Sequence, residues 1–236
     1  MPRSAIHRTI IHRHSGWIIP LGFAAMVLLV CGLFLAWYLR PGPRGGAPSI
    51  DTTPVRLTVG GLALSVPVNH IETTSARAGG LREAVNLFAL YPSMRGYSRK
   101  DAALFADNAP QSAVIHLLLR ADPNSLAPEE RLARIYLPHV TAAEGAPGPF
   151  GLVRFAFRPD SPYAREDLYV ADAAPGPLLF LCQRAQPDLP SPNCIATATP
   201  LAENLSFSWR FKRTHLPHWR EMAAQVNGLM TKFGAR

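Results

Sequence analysis

The sequence predicts an α+β domain carried behind one membrane-spanning helix. Three observations lead there: an uncharged run near the amino terminus, a series of short segments in which apolar and polar residues alternate, and a closing segment with apolar residues at helical spacing. The first belongs to a lipid bilayer. The other two give a largely antiparallel sheet with an amphipathic helix packed on it.

The uncharged run is WIIPLGFAAMVLLVCGLFLAWYL, residues 17–39, roughly 23 residues where about 20 suffice to cross the hydrocarbon core. Trp17 marks one end and Trp37 with Tyr38 the other, where amphipathic rings prefer the headgroup level. A cleaved signal peptide would have an apolar core of only ~7–15 residues and close on small residues. This run closes on Trp-Tyr-Leu, so it reads as an uncleaved anchor. Cys31 reads as a lipid-facing or packed thiol, since Val30 stands where a lipidation site would want a small residue.

Arg3, Arg8 and Arg13 precede the span, and Arg40 and Arg44 follow it. The positive-inside rule therefore makes residues 1–16 a cytoplasmic tail and sends everything past residue 40 across the membrane. Arg outnumbers Lys many-fold and Ala and Pro are abundant, the usage of a GC-rich bacterium. The expected location is the bacterial inner membrane, single-pass, with the carboxy-terminal domain in the periplasm. The formal charge of +8 suggests nucleic acid, but five of the 24 basic residues flank the span, leaving 19 against 16 acidic ones. A mildly basic periplasmic domain has no nucleic-acid target.

Residues 40–54, RPGPRGGAPSIDTTP, lack apolar periodicity and read as a tether. Residues 55–236 are expected to be the folded domain. VRLTVGGLALSVP alternates on either side of Gly60-Gly61, a strong hairpin signal. Further strands are expected at 83–92, 112–122, 150–159, 166–172, 178–184, 194–200 and 204–212. The last, NLSFSWRFK, places Leu205, Phe207, Trp209 and Phe211 on one face and Ser206, Ser208, Arg210 and Lys212 on the other.

Three helices interrupt the strands. Ser98 with Asp101 matches a capping box for a short helix reaching about Ala106. Pro128 followed by Glu129 and Glu130 suits a first turn, with Leu132, Ile135 and Tyr136 on one face. The longest helix is expected from about Pro217 to Phe233, with Trp219, Met222, Ala223, Val226, Leu229, Met230 and Phe233 in its apolar stripe.

Cys182 and Cys194 close a proline-rich segment, CQRAQPDLPSPNC. In an oxidising compartment the pair is expected to form a structural disulfide worth about 3 kcal/mol for a loop of this length. His215 and His218 in THLPHW are weak candidates for metal binding or acid–base work. No third ligand is spaced to join them, so neither a metal nor a cofactor is expected. Ser98 in RGYSRK lacks the second glycine of a nucleophile elbow, and Glu129/Glu130 and Glu166/Asp167 sit at element starts. Arg154, Arg158, Arg210 and Lys212 are expected on outward strand faces, where they would contact an acidic partner or anionic headgroups.

YPSMRGYS, the Cys182-to-Cys194 segment and LSFSWRFKRTHLPHWREM resemble uncharacterised single-span inner-membrane proteins of proteobacteria. The resemblance covers most of the domain after residue 55, and implies an anchor with a periplasmic domain but no functional residue. The expected function is a binding or accessory subunit of a cell-envelope complex, contacting the bilayer through residues 17–39 and an envelope protein through aromatic positions such as Tyr97, Tyr163 or Trp219. The alternatives are a periplasmic hydrolase or small-ligand receptor built on Ser98 or His215 and His218, and a membrane-tethered immunity or inhibitor protein.

Overall fold

An uncharged apolar helix, α1, Ile18–Tyr38, opens the computed structural model, which describes residues 18–39, 46–173, 176–197 and 201–235. The chain divides into two units, 1–44 and 45–236. At ~1.5 Å per residue the helix reaches about 30 Å. Its mean hydropathy over Ile19–Tyr38 is 2.5, enough in length and composition for a membrane span or a signal sequence. Trp17, Arg3, Arg8, Arg13, Arg40 and Arg44, on which the expected orientation depends, lie outside the described residues.

The second unit begins with β1, Pro54–Val59, and β2, Leu62–Pro67, paired antiparallel. The turn between Val59 and Leu62 holds Gly60 at φ 54° and Gly61 at φ 87°, the left-handed pair that a type I′ turn requires. A Cβ on Gly60 would also lie 2.3 Å from the Asn204 carbonyl oxygen, so glycine is needed twice over there. The hairpin does not join the large sheet. β3, Gly80–Arg82, pairs parallel to β1 and completes a separate three-stranded sheet in the order β2-β1-β3.

The large sheet is antiparallel throughout and runs β4-β5-β11-β10-β9-β8-β7-β6. Its strands are β4, Ala84–Leu90; β5, Val114–Ala121; β6, Ala146–Pro147; β7, Val153–Ala156; β8, Glu166–Ala171; β9, Leu178–Gln183; β10, Asn193–Thr197; and β11, Leu205–Lys212. Six of the expected strand segments each contain one of these, and the seventh, 194–200, overlaps β10, which starts one residue earlier; residues 198–200 lie outside the described residues. β3 and β6 are too short to carry a pattern. The last strand, β11, lies between β5 and β10.

The inner face of this sheet carries Leu87, Leu117, Phe180, Phe207, Trp209 and Phe211, all buried in one cluster with Leu57 and Val66 of the small sheet. The same cluster takes Met222, Val226, Leu229 and Met230 from α4, Trp219–Lys232. Burial of each such side chain contributes roughly 1.5–3 kcal/mol. Trp219 belongs here too, at 5% exposure, packing 5.9 Å from the Phe180 ring; it is core, not the exposed partner contact expected of it. α4 starts at Trp219 because a 3₁₀ segment, Arg213–His218, occupies the residues before it.

The outer face has two partial covers. Over β4 and β5, Tyr97 and Phe105 pack on Phe88, Leu90 and Val114; Phe105 belongs to α2, Ala102–Ala106. Ser98 does not cap the segment: its hydroxyl donates to the Asp101 carboxylate at 2.6 Å, and Arg95 donates to the same carboxylate at 2.9 Å. Over β7 to β9, α3, Pro128–Arg131, continues through wider and tighter turns to His139 and sets Tyr136 and Val140 on Phe155, Phe157, Leu168 and Leu179. Tyr163 packs half-buried against this second cover.

Cys182 on β9 and Cys194 on β10 stand directly opposite in register and form the disulfide, fully buried on the inner face. Replacing both by alanine is expected to cost about 3 kcal/mol through the freed denatured-state loop. Urea unfolding would read this; an unchanged midpoint would mean that strand pairing alone holds the segment.

Candidate functional site

Between the two covers, the outer face of β5, β11 and β10 is bare. Strict alternation puts Arg210 of β11 there, opposite His116 on one neighbour and Ile195 on the other. With Glu72, Asn86, Leu118 and Ser208 they line a trough of about 320 Å³. A second hollow of about 170 Å³, lined by Asp107, Asn108, Ser112, Asn193 and Lys212, shares His116 and Arg210 with it. His116 Nδ1 donates to Glu72 at 3.3 Å, and this bond holds the Glu72 carboxyl below the usual range against the opposing effect of burial. Arg210 is exposed and makes no ion pair among the described residues.

The inner face carries a different arrangement at its rim. Asp167 of β8, 5% exposed at its side chain, accepts from Arg154 at 2.9 Å, Arg184 at 3.1 Å and Arg213 at 2.9 Å. Arg213 also donates to the Gln183 carbonyl and the Tyr169 hydroxyl. Burial alone would raise the Asp167 carboxyl. Hydrogen bonds from Arg154 and Arg213, with the charges of Arg154 and Arg184, overcome that and hold it below the usual carboxylate range. One carboxylate thus gathers β7 and the segments just after β9 and β11.

The four basic residues expected to act as one face are divided by the fold. Arg154 neighbours Tyr169 on the inner face, whereas Arg210 lies on the outer. Lys212 shares the parity of Arg210 but is buried, its ammonium donating to Asn108 at 2.7 Å and to the Ser191 carbonyl, and burial pushes its pKa down. Arg158 lies past β7 and pairs with Asp160 at 3.5 Å. The arginines that do converge, Arg184 and Arg213 beside Arg154, were not singled out in the sequence. Their signal was parity: Asp167, Arg184 and Arg213 all continue the inward-facing phase of their strands.

His215 and His218 do not act together. His215 Nε2 donates to the Ser112 carbonyl at 3.0 Å with its ring 5.8 Å from Tyr91, while His218 is exposed where α4 begins. Among the described residues no group of three or more His, Cys, Asp or Glu could hold a metal ion. Ser98 is bonded to Asp101, and no hydrogen bond joins it to either histidine.

No protein-family model matches the chain, and no curated protein matches it. Among solved structures the fold is similar to that of an immunity protein of the Stenotrophomonas maltophilia type IV secretion system, with a TM-score of 0.55 and 17% identity. The match covers 81% of this chain and 99% of that one.

Asp167→Asn is expected to lower stability at pH 7 by about 3 kcal/mol, because the guanidiniums then face a neutral amide. The wild-type carboxyl has a lowered pKa in the folded state, so its contribution is complete above the unfolded value near 4 and is lost as pH falls through the lower folded value. Urea midpoints of the two proteins should therefore converge below about pH 4. A gap that stays constant with pH would assign the loss to packing instead.

Proposed function

We propose that this chain is a membrane-tethered immunity protein, holding residues 55–236 in the periplasm to bind and neutralise a secreted effector. The likeness of fold to an immunity protein, spanning nearly all of that protein, carries the proposal. The apolar helix near the amino terminus supports a tether, and the buried disulfide supports an oxidising compartment. The basic residues around the helix favour a cytoplasmic amino terminus and the inner membrane. An accessory role in an envelope complex rests on the same anchor and disulfide without the likeness of fold, and is the weaker reading.

The reading predicts an effector gene beside this one, and cells exporting that effector to the periplasm should regain viability by orders of magnitude with the full-length protein. The domain without residues 1–44, kept in the cytoplasm, should give no protection. Equal killing with and without the full-length chain overturns the reading. Topology is read separately with Asn124→Cys, at an exposed loop position. A membrane-impermeant maleimide should label it in intact cells; labelling only after lysis would place the domain in the cytoplasm.

A further inference from the structure

The loop joining β6 to β7 holds a phenylalanine where the backbone does not favour one. Phe150 sits at φ 61° and ψ 25°, the left-handed helical region that crowds a Cβ against the following carbonyl. The conformation is fixed from several sides. Trp219 Nε1 and Arg220 Nη1 donate to the Phe150 carbonyl at 3.2 and 3.1 Å, and Leu152 N–H donates to the Pro149 carbonyl at 3.1 Å. Gly148 N–H closes the loop on the Leu152 carbonyl at 2.8 Å. All of these bonds use backbone atoms of the loop, so a glycine at 150 would make them without strain. The ring itself belongs to no buried cluster and is 46% exposed.

Arginines flank the loop that carries it. Arg220 stacks over the Trp219 ring at 4.3 Å, with Nη2 2.9 Å from where a Cβ on Gly151 would lie. Arg154 flanks the other end of the loop, its Cβ 3.2 Å from the corresponding position on Gly148, and leads to Arg184 and Arg213 around Asp167. Within ion-pair distance these four guanidiniums have one carboxylate among the described residues, which leaves three positive charges in excess. A rigid exposed aromatic among arginines has the composition of an interface hot spot. Strain kept at an exposed ring is explained by a contact outside the chain.

We propose that Phe150, whose loop is flanked by Arg154 and Arg220, is a docking site for an acidic protein surface, whose apolar recess takes the ring while its carboxylates meet the guanidiniums. The identity of that partner as the secreted effector rests on the immunity reading; the site itself does not. The excess positive charge complements an acidic partner and repels a basic one.

The test uses the full-length chain in intact cells with the photoreactive residue p-benzoylphenylalanine at position 150, and at Leu104, 48% exposed, as a matched control. One protein with an acidic surface should cross-link from position 150 and not from 104, and R220E should reduce the adduct about 30-fold. F150G should abolish protection against the effector while leaving thermal stability unchanged or higher, since it relieves the strain. No adduct, equal adducts from both positions, or adducts with phosphatidylglycerol alone overturn the site. Protection by the wild type that survives in both R220E and F150G also overturns it and leaves the immunity reading standing. An R220E-sensitive adduct with an acidic protein that is not toxic keeps the site and removes the immunity reading.

Discussion

The strict two-residue alternation of β11, an interior strand of the large sheet, is the constraint on which the rest of the structure depends. Side chains of one strand must point to opposite faces, so burying Leu205, Phe207, Trp209 and Phe211 forces Ser206, Ser208 and Arg210 outward. The inner series is closed over by α4 and the small sheet in one continuous core. A slip of one residue would bring Arg210 into that core and put Trp209 in water. No rearrangement of the neighbouring strands could offset that, because β5 and β10 take their register from β11.

Asp167 extends the same logic to the end of the strands. It lies on the inward phase of β8, where an unpaired carboxylate would be costly, and the fold answers by bringing guanidiniums from three other segments. The arrangement is asymmetric: a single carboxylate accepts from all three guanidiniums but carries one negative charge, so the arginines keep charge that it does not neutralise. They tolerate this because they are partly solvated, with Arg154 45% and Arg184 38% exposed. A network that solves a burial problem for one acid thereby creates a basic rim beside the start of α4.

Local pattern made β11, the β1–β2 hairpin, the apolar stripe of α4 and the α+β class legible, because each is written within a single window of period 2 or 3.6. The Cys182–Cys194 pair was legible from spacing and compartment. Strand order was not, since nothing in residues 204–212 says that the last strand enters between β5 and β10. Lys212 misled for a related reason: parity correctly put it outward, but Asn108 and the Ser191 carbonyl, distant in sequence or across a turn, bury it. Trp219 misled in the other direction, because its place in the stripe was seen and its contact with Phe180 was not. The arginines around Asp167 could have been found by asking which charged residues continue an inward phase. Phe150 could not, since its positive φ comes from the closure of its loop on Trp219 and Arg220.

Two surfaces could in principle receive a partner, and their internal energetics separate them. The outer trough is the bare face of an antiparallel sheet, lined mostly by polar residues with Leu118 and the partly exposed Ile195 among them. Its acid, Glu72, already has His116, and the backbone beneath it is regular. The trough offers exposed apolar surface at Ile195 and the unpaired Arg210, but among the described residues no strained backbone stands beside them. The inner rim holds a left-handed phenylalanine, an aromatic ring half in water and more guanidiniums than carboxylates. Each of those features lowers the stability of the isolated domain, and an acidic surface with an apolar recess would offset the last two. The loop is also pinned before any partner arrives, so little conformational freedom remains to be lost on binding. Strain, exposure and uncompensated charge gathered around one pinned loop therefore favour the rim over the trough as the surface that meets another protein.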